Sequence, residues 1–203
     1  MRSRAARRNQ GLLTSLLTIM SDHPGHILLP LARAAIGREL GIAAPAPATE
    51  GTWLQQPGSV FVTLTRDGQL RGRNGTLDAI RPLRDDVVAN AVAAAFRDLR
   101  FKPLAAPELE NTLIEVSVLS ALETLAFANE AAVLAQLRAG VDGVVFRYGH
   151  HHSNFLPEAW SHYTDPAEFM AQLKYKAGLP PDFWDATVEL RRYTVDCWRE
   201  PGI

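Results

Sequence analysis

The stretch "SVFVTLTRDGQLRG", residues 59–72, limits the possible folds more than any other part of the chain. Asp67-Gly68 sits between two runs of β-forming residues. An Asp-Gly pair supplies the positive φ values that a tight hairpin requires, so the stretch reads as two strands joined around that pair. The segment "LRGRNGT", residues 70–76, overlaps its end and packs two arginines, two glycines and an asparagine into seven positions. If it leaves the strand extended, Arg71 and Arg73 project from one face, about 6.6 Å apart at roughly 3.3 Å per residue. Gly72 and Gly75 leave the backbone uncovered, so N–H groups can join two guanidinium forks around a phosphate or carboxylate. Asn74-Gly75 is equally a favoured turn pair, and arginines beside turns are ordinarily solvated. The segment is therefore an anion grip or a plain turn.

The rest of the chain alternates helices with hairpins. Ser21 or Asp22 caps a helix with Pro24 in its first turn, and Ile27, Leu28, Leu31, Ala34 and Ala35 follow at helical spacing. Residues 41–52, "GIAAPAPATEGT", form an Ala/Pro connector. From Asp85 or Asp86 a second helix puts Val88, Ala91, Val92, Ala95, Phe96 and Leu99 on one stripe, with Arg97 and Arg100 in its last turn. "NTLIEVSVLSAL" is a strand with Ile114, Val116 and Val118 on one face and Leu113, Glu115 and Ser117 on the other. A helix over "NEAAVLAQLRAG" closes at Gly140, and "DGVVFRYGHHHSNFLP" is a hairpin turning between Gly149 and Asn154. Asp165 caps a further helix with Pro166 at its first position and Gly178 at its stop. "ATVELRRYTVDCW" is a final strand. Without regular βαβ spacing, this pattern gives an α+β protein with mainly antiparallel sheet.

Composition narrows the class. At 203 residues with 47% hydrophobic content, the chain builds one ordinary globular unit. Cys197 is the single cysteine. It forms no intramolecular disulfide, completes no thiolate metal site, and reads as a half-buried strand residue in a reduced, intracellular setting. The net charge of −1 demotes nucleic acid and anionic membranes as partners. Residues 1–20 form an Arg-rich leader: Arg2, Arg4, Arg7 and Arg8, no acidic residue, then "GLLTSLLTIM", too short to span a bilayer. The reading adopted is that Met20 is the natural start and residues 1–19 are not native. The domain is then 21–203, where 17 basic residues face 22 acidic ones.

Other polar clusters carry less chemistry. In an extended segment only His150 and His152 of the histidine run can share an ion, and Glu158 and His162 complete no recognised spacing, so no metal site is assigned. Glu115 amid "LIEVSVL" needs a partner if its face is covered, and an arginine is the natural one. Lys174 and Lys176 close a helix C-terminus, where they oppose its dipole. Neither the dinucleotide fingerprint nor the phosphate-loop lysine follows a strand, and no cofactor is implied.

Six blocks in order, "FVTLTRDGQLRGRNGTL", "PLRDDVVANAVAAAFRDLRFKPL", "IEVSVL", "GVDGVVF", "FLPEAW" and "EFMAQLKYKAGLPPDFW", resemble the signature of the AMMECR-type domain, also called AmmeMemoRadiSam system protein A. The likeness runs from about Ile27 to the C-terminus. It implies an α+β fold in two unequal lobes, each a mainly antiparallel sheet flanked by helices, the larger containing both chain ends. It also implies a cytoplasmic protein of unsettled activity, encoded beside a radical-SAM protein and a Memo-like protein. The family's hallmark is Leu-Arg-Gly-Cys-Ile-Gly. This chain matches it at Leu70, Arg71, Gly72 and Gly75, with Arg73 at the cysteine position and Asn74 at the isoleucine.

Arginine stays protonated and is no nucleophile, so thiol chemistry is unavailable at that position. The expectation is an accessory protein that binds a small anionic metabolite or nucleotide along residues 71–75. Arg71 and Arg73 are its anion ligands, Gly72 and Gly75 its backbone donors, Asn74 part of the loop, and Arg100, Glu115 and Lys176 wall residues. Whether it catalyses a reaction is left open. The rival is a noncatalytic interaction module, with RNA binding third. An exposed apolar patch beside Arg71 favours docking, and a walled pocket favours a ligand.

Overall fold

In the structure, a computed structural model that describes residues 24–43 and 51–202, Asp67 and Gly68 take φ of 51° and 74°. These are the paired left-handed values of a two-residue hairpin turn. The leader, the cap at Ser21 or Asp22 and most of the Ala/Pro connector lie outside the described residues.

The elements run α1 (Gly25–Glu39), β1 (Pro57–Gly58), β2 (Val60–Arg66), β3 (Gln69–Gly75), β4 (Arg81–Pro82), α2 (Leu83–Phe96), α3 (Ala106–Leu109) and β5 (Thr112–Leu119). There follow β6 (Glu123–Thr124), α4 (Glu130–Leu134), β7 (Gly143–Tyr148), β8 (His151–Phe155), α5 (Pro166–Lys176), β9 (Glu189–Tyr193) and β10 (Val195–Arg199). This is an α+β fold with antiparallel sheets. Its contacts divide into two units, one holding the chain up to Thr76, Ile80–Val116 and the residues from Cys197, the other holding Leu77–Ala79 and Ser117–Asp196. Among the described residues no helix is long and apolar enough to cross a membrane.

The first unit is a sheet in the order β10-β5-β2-β3, with α2 packed on β2 and β3 and α1 packed on α2. The inward stripe of α2 keeps the expected Ala91 and Ala95 but is otherwise turned away from Val88, Val92, Phe96 and Leu99. Val87, Asn90, Ala91, Ala94 and Ala95 are buried, and the helix ends at Phe96, so Arg97 and Arg100 lie beyond it and Leu99 is wholly exposed. The alanines explain the shift, because a stripe of small side chains lets the helix backbone come down onto the strand. β5 has both faces covered: Ile114 and Val116 are fully buried, and so, within a few per cent, are Glu115 and Ser117. The predicted final strand is two strands, β9 and β10, which lie in different sheets. Cys197 on β10 is exposed rather than half-buried.

The second unit carries the sheet β6-β9-β7-β8 over a core that includes Val144, Phe146, Trp160, Phe169, Met170, Leu173 and Leu190. Trp160 and Phe169 stack at 3.9 Å between centroids. The β7–β8 turn falls on Gly149 and His150, so His151 and His152 are strand residues. The helix expected up to Gly140 ends at Leu134, and its cap is Asn129, whose side chain accepts from the Ala132 amide. Asp165 caps α5 as expected, accepting from the Ala167 amide.

A buried carboxylate ties the first unit together. Asp86, in the first turn of α2, is 1% exposed. It accepts from the Val60 amide at 2.8 Å, the Thr76 hydroxyl at 2.6 Å, Arg81 Nε at 2.6 Å and Asn90 Nδ2 at 3.0 Å. The start of β2, the residue after β3 and strand β4 are thereby pinned to one helix end. Asp86→Ala strands these donors in a dry site. The expected loss is about 3–5 kcal/mol of stability, measured as a fall in the urea midpoint.

Candidate functional site

The β2–β3 register fixes where the motif side chains point. Arg66 pairs with Gln69 and Thr65 with Leu70, but Leu64 pairs with Gly72, Thr63 with Arg73, Val62 with Asn74 and Phe61 with Gly75. Arg71 is therefore an extra residue, a β-bulge. Partners across a ladder share a face, so Gly72 and Asn74 lie with the buried Leu64 and Val62 on the α2 side. Arg73 and Gly75 lie on the other side with Thr63 and Phe61. The glycines are packing residues. A Cβ at Gly72 would come within 2.1 Å of the Ala94 carbonyl oxygen, and one at Gly75 within 2.2 Å of the Phe61 ring.

Two carboxylates from outside the motif organise its cations. Glu108, in α3, takes Arg71 through Nε at 3.0 Å and Nη2 at 2.9 Å, and also accepts from Arg66 Nη1 and the Ala105 amide, both at 2.8 Å. The Arg71 hydrogen bonds and the Ala105 amide hold its carboxyl down at about 2, against an ordinary value of 4.5. Asp98 accepts from the Arg73 amide at 2.9 Å and from Arg100 through Nε at 2.9 Å and Nη2 at 2.7 Å. Arg100 above all, then the Arg73 amide, pulls the Asp98 carboxyl far below the usual range against the opposing effect of burial. The Phe101 ring lies under both Arg71 and Arg100, at 5.9 and 5.6 Å from its centroid, while Arg73 lies over Phe61 at 5.8 Å.

Arg71 and Arg100 thus share the Phe101 ring, whereas Arg73 reaches Asp98 through its backbone amide and its guanidinium lies over Phe61 instead. Among the buried side-chain atoms without a hydrogen-bond partner among the described residues are Arg66 Nε, Arg71 Nη1 and Thr63 Oγ1. Other predicted residues lie elsewhere. Asn74 is on the helix side of the sheet. Glu115 has the arginine partner expected of it in Arg199, whose Nε donates at 2.7 Å. Lys176 is in the second unit, where it donates to the Asn154 carbonyl at 2.9 Å and lies over Phe155. His151 Nδ1 lies 2.9 Å from the Ala177 carbonyl oxygen, and among the described residues no three His, Cys, Asp or Glu side chains are grouped to hold a metal ion. Sequence reasoning missed Thr63, Asp98 and Glu108. Asp98 could have been suspected from its position beside Arg97 and Arg100. Glu108 carries no local signal, being 37 residues from Arg71.

Two expectations follow. Gly72→Ala forces α2 off β3 and costs on the order of 1–3 kcal/mol, readable as a lower melting midpoint. Because the folded Glu108 carboxyl titrates below its ordinary value, the stability it contributes is complete above about pH 4.5 and is lost as pH falls toward 2. Chemical denaturation across that window is expected to show a shallower acid loss for Glu108→Gln than for the parent chain.

The family model described as AMMECR1 matches residues 29–198. A protein of Methanothermobacter thermautotrophicus is 33% identical over 189 residues, spanning 90% of this chain and 97% of its own. One from Thermococcus onnurineus is 35% identical over 192 residues, spanning 89% and 92%. The crystal structure of an uncharacterised protein from Pyrococcus horikoshii superposes with a TM-score of 0.78 at 32% identity, covering 87% of this chain and 91% of that one. With a family model over residues 29–198 and relatives alike along nearly their whole length, the chain belongs to the AMMECR1 family.

Proposed function

We propose that the chain is a cytoplasmic accessory protein that binds a small anionic metabolite or nucleotide on the outer face of β3 and acts alongside a radical-SAM protein and a Memo-like protein. The observation that carries the binding is the state of Arg71. Glu108 occupies its Nε/Nη2 edge and holds the guanidinium still, while Nη1 has no acceptor among the described residues. A buried donor without a partner costs about 1–3 kcal/mol. Nη1 has essentially no accessible surface, so an anion recovers that cost only once the side chains covering it give way.

In this reading Arg71 offers its remaining donors, Arg73 adds a second positive charge, and the Thr63 hydroxyl, across the ladder from Arg73, donates the third contact. Gly72 and Gly75 have steric roles instead. The partnership rests on the family resemblance alone. A noncatalytic interaction module is the second reading, favoured by the exposure of Leu70 and Leu99 close to these arginines. RNA binding stays third, because the chain as a whole is slightly acidic.

Melting in the presence of separate nucleotides, inorganic phosphate and small carboxylates tests the binding. One class is expected to raise the midpoint in proportion to the logarithm of its concentration. Thr63→Val removes an unsatisfied hydroxyl, so without ligand it is expected to be neutral or slightly stabilising, yet to shrink that rise; Arg71→Lys, which loses the fork, should abolish it. A panel that never moves the midpoint of the parent chain refutes the reading.

A further inference from the structure

The loop after α2 presents an unusual surface. Residues 97–102, "RDLRFK", hold three cations and one carboxylate, and the charges are sorted by depth. The Asp98 side chain is 7% exposed beneath Arg100, whose side chain is 56% exposed, and Arg97 and Lys102 are exposed as well. Glu108 lies between its two partners in exposure, at 20% against 39% for Arg66 and 15% for Arg71. Within the loop Asp98 serves the interior, so the outward charges of residues 97–102 are Arg97, Arg100 and Lys102. On the neighbouring hairpin Asp67, 86% exposed, lies beside Arg66. In this loop Leu99 is wholly exposed; Leu70, the chain neighbour of Arg71, is 39% exposed, and Arg71 and Arg100 both lie over the Phe101 ring.

A large aliphatic side chain held entirely in water in a loop of cations gains only when something covers it. We propose that the 97–102 loop and Leu70 form a docking surface for an acidic protein segment whose apolar side chains cover Leu99 while its carboxylates meet Arg97, Arg100 and Lys102. Charge complementarity selects the sign of the partner. Nucleic acid fits less well: it has phosphates for the arginines but offers an aliphatic side chain no cover, and the one aromatic ring here, Phe101, already lies under two guanidinium groups. A second copy of the same loop is disfavoured because like charges would meet across a two-fold axis. This inference rests on the second reading above, the interaction module, and not on the anion site. Leu99 touches neither Thr63 nor the donors of Arg71, so each idea can fail while the other stands.

The test is fluorescence polarisation of the full chain with a labelled peptide of about a dozen residues built on Glu-Glu-Leu repeats. Controls are an all-Glu peptide, a Lys-Lys-Leu peptide and an oligouridylate of similar length. The Glu-Glu-Leu peptide is expected to bind best. Its affinity should fall about tenfold in Leu99→Ser and by a similar factor in the double variant Arg97→Glu, Lys102→Glu, with melting midpoints unchanged because these side chains are exposed. Each of these results overturns the proposal: no saturable binding of the acidic peptide, equal binding by Leu99→Ser, tighter binding of oligouridylate, or self-association of the parent chain that Leu99→Ser abolishes. If the all-Glu peptide binds as well as the Leu-containing one, the surface is merely electrostatic and the proposal also fails.

Discussion

One surplus residue in β3 decides how the motif is used. Continued without a bulge, the Asp67-Gly68 hairpin would set Arg71 opposite Leu64 and Arg73 opposite Val62, driving two guanidinium groups into the alanine face of α2. The bulge at Arg71 shifts the register by one, and with period-two alternation a shift of one exchanges the faces. Gly72 then meets the helix, where the Ala94 carbonyl leaves no room for a Cβ, and the arginines turn outward. The glycine and the charged residues are thus answers to the same geometric demand. Moving a guanidinium into an apolar layer costs several kcal/mol, so the bulge is the energetically cheaper arrangement.

What the bulge sets, carboxylates hold. Asp86 fastens the far end of the hairpin to the start of α2, and Glu108 and Asp98 grip its arginine side from two segments that follow that helix. Each is a hub with several donors rather than an isolated surface pair, and several satisfied contacts from rigid elements make such groups effective. The same economy separates this cluster from Glu115, whose single arginine partner meets the ordinary need of a covered carboxylate.

Much of the fold was legible in the sequence because it is written in short-range chemistry. The Asp-Gly turn, the Asp165 cap with Pro166 and the alternation in β5 each depend on neighbours only a few residues away. The stripe of α2 was misjudged because valine and phenylalanine looked like the natural core, whereas the contact with β3 favours alanine. The site was legible in part. Its arginines stand in a recognisable motif, but the bulge leaves no mark on a single sequence, and Glu108 reaches Arg71 from a separate helix. The tail was misread as one strand because Thr194, where it breaks between two sheets, is itself a good strand former.

β3 is the outermost strand of its sheet, and the Arg73 amide, which points away from β2, is already donated to Asp98. An edge with open amides is a template for strands of other molecules, and cells tolerate such templates poorly. Here one aspartate occupies the edge at its middle and the bulge bends it nearby. The rim of this sheet is thereby blunted against fibrous, amyloid-like stacking, and that protection comes from the same two features that aim the arginines.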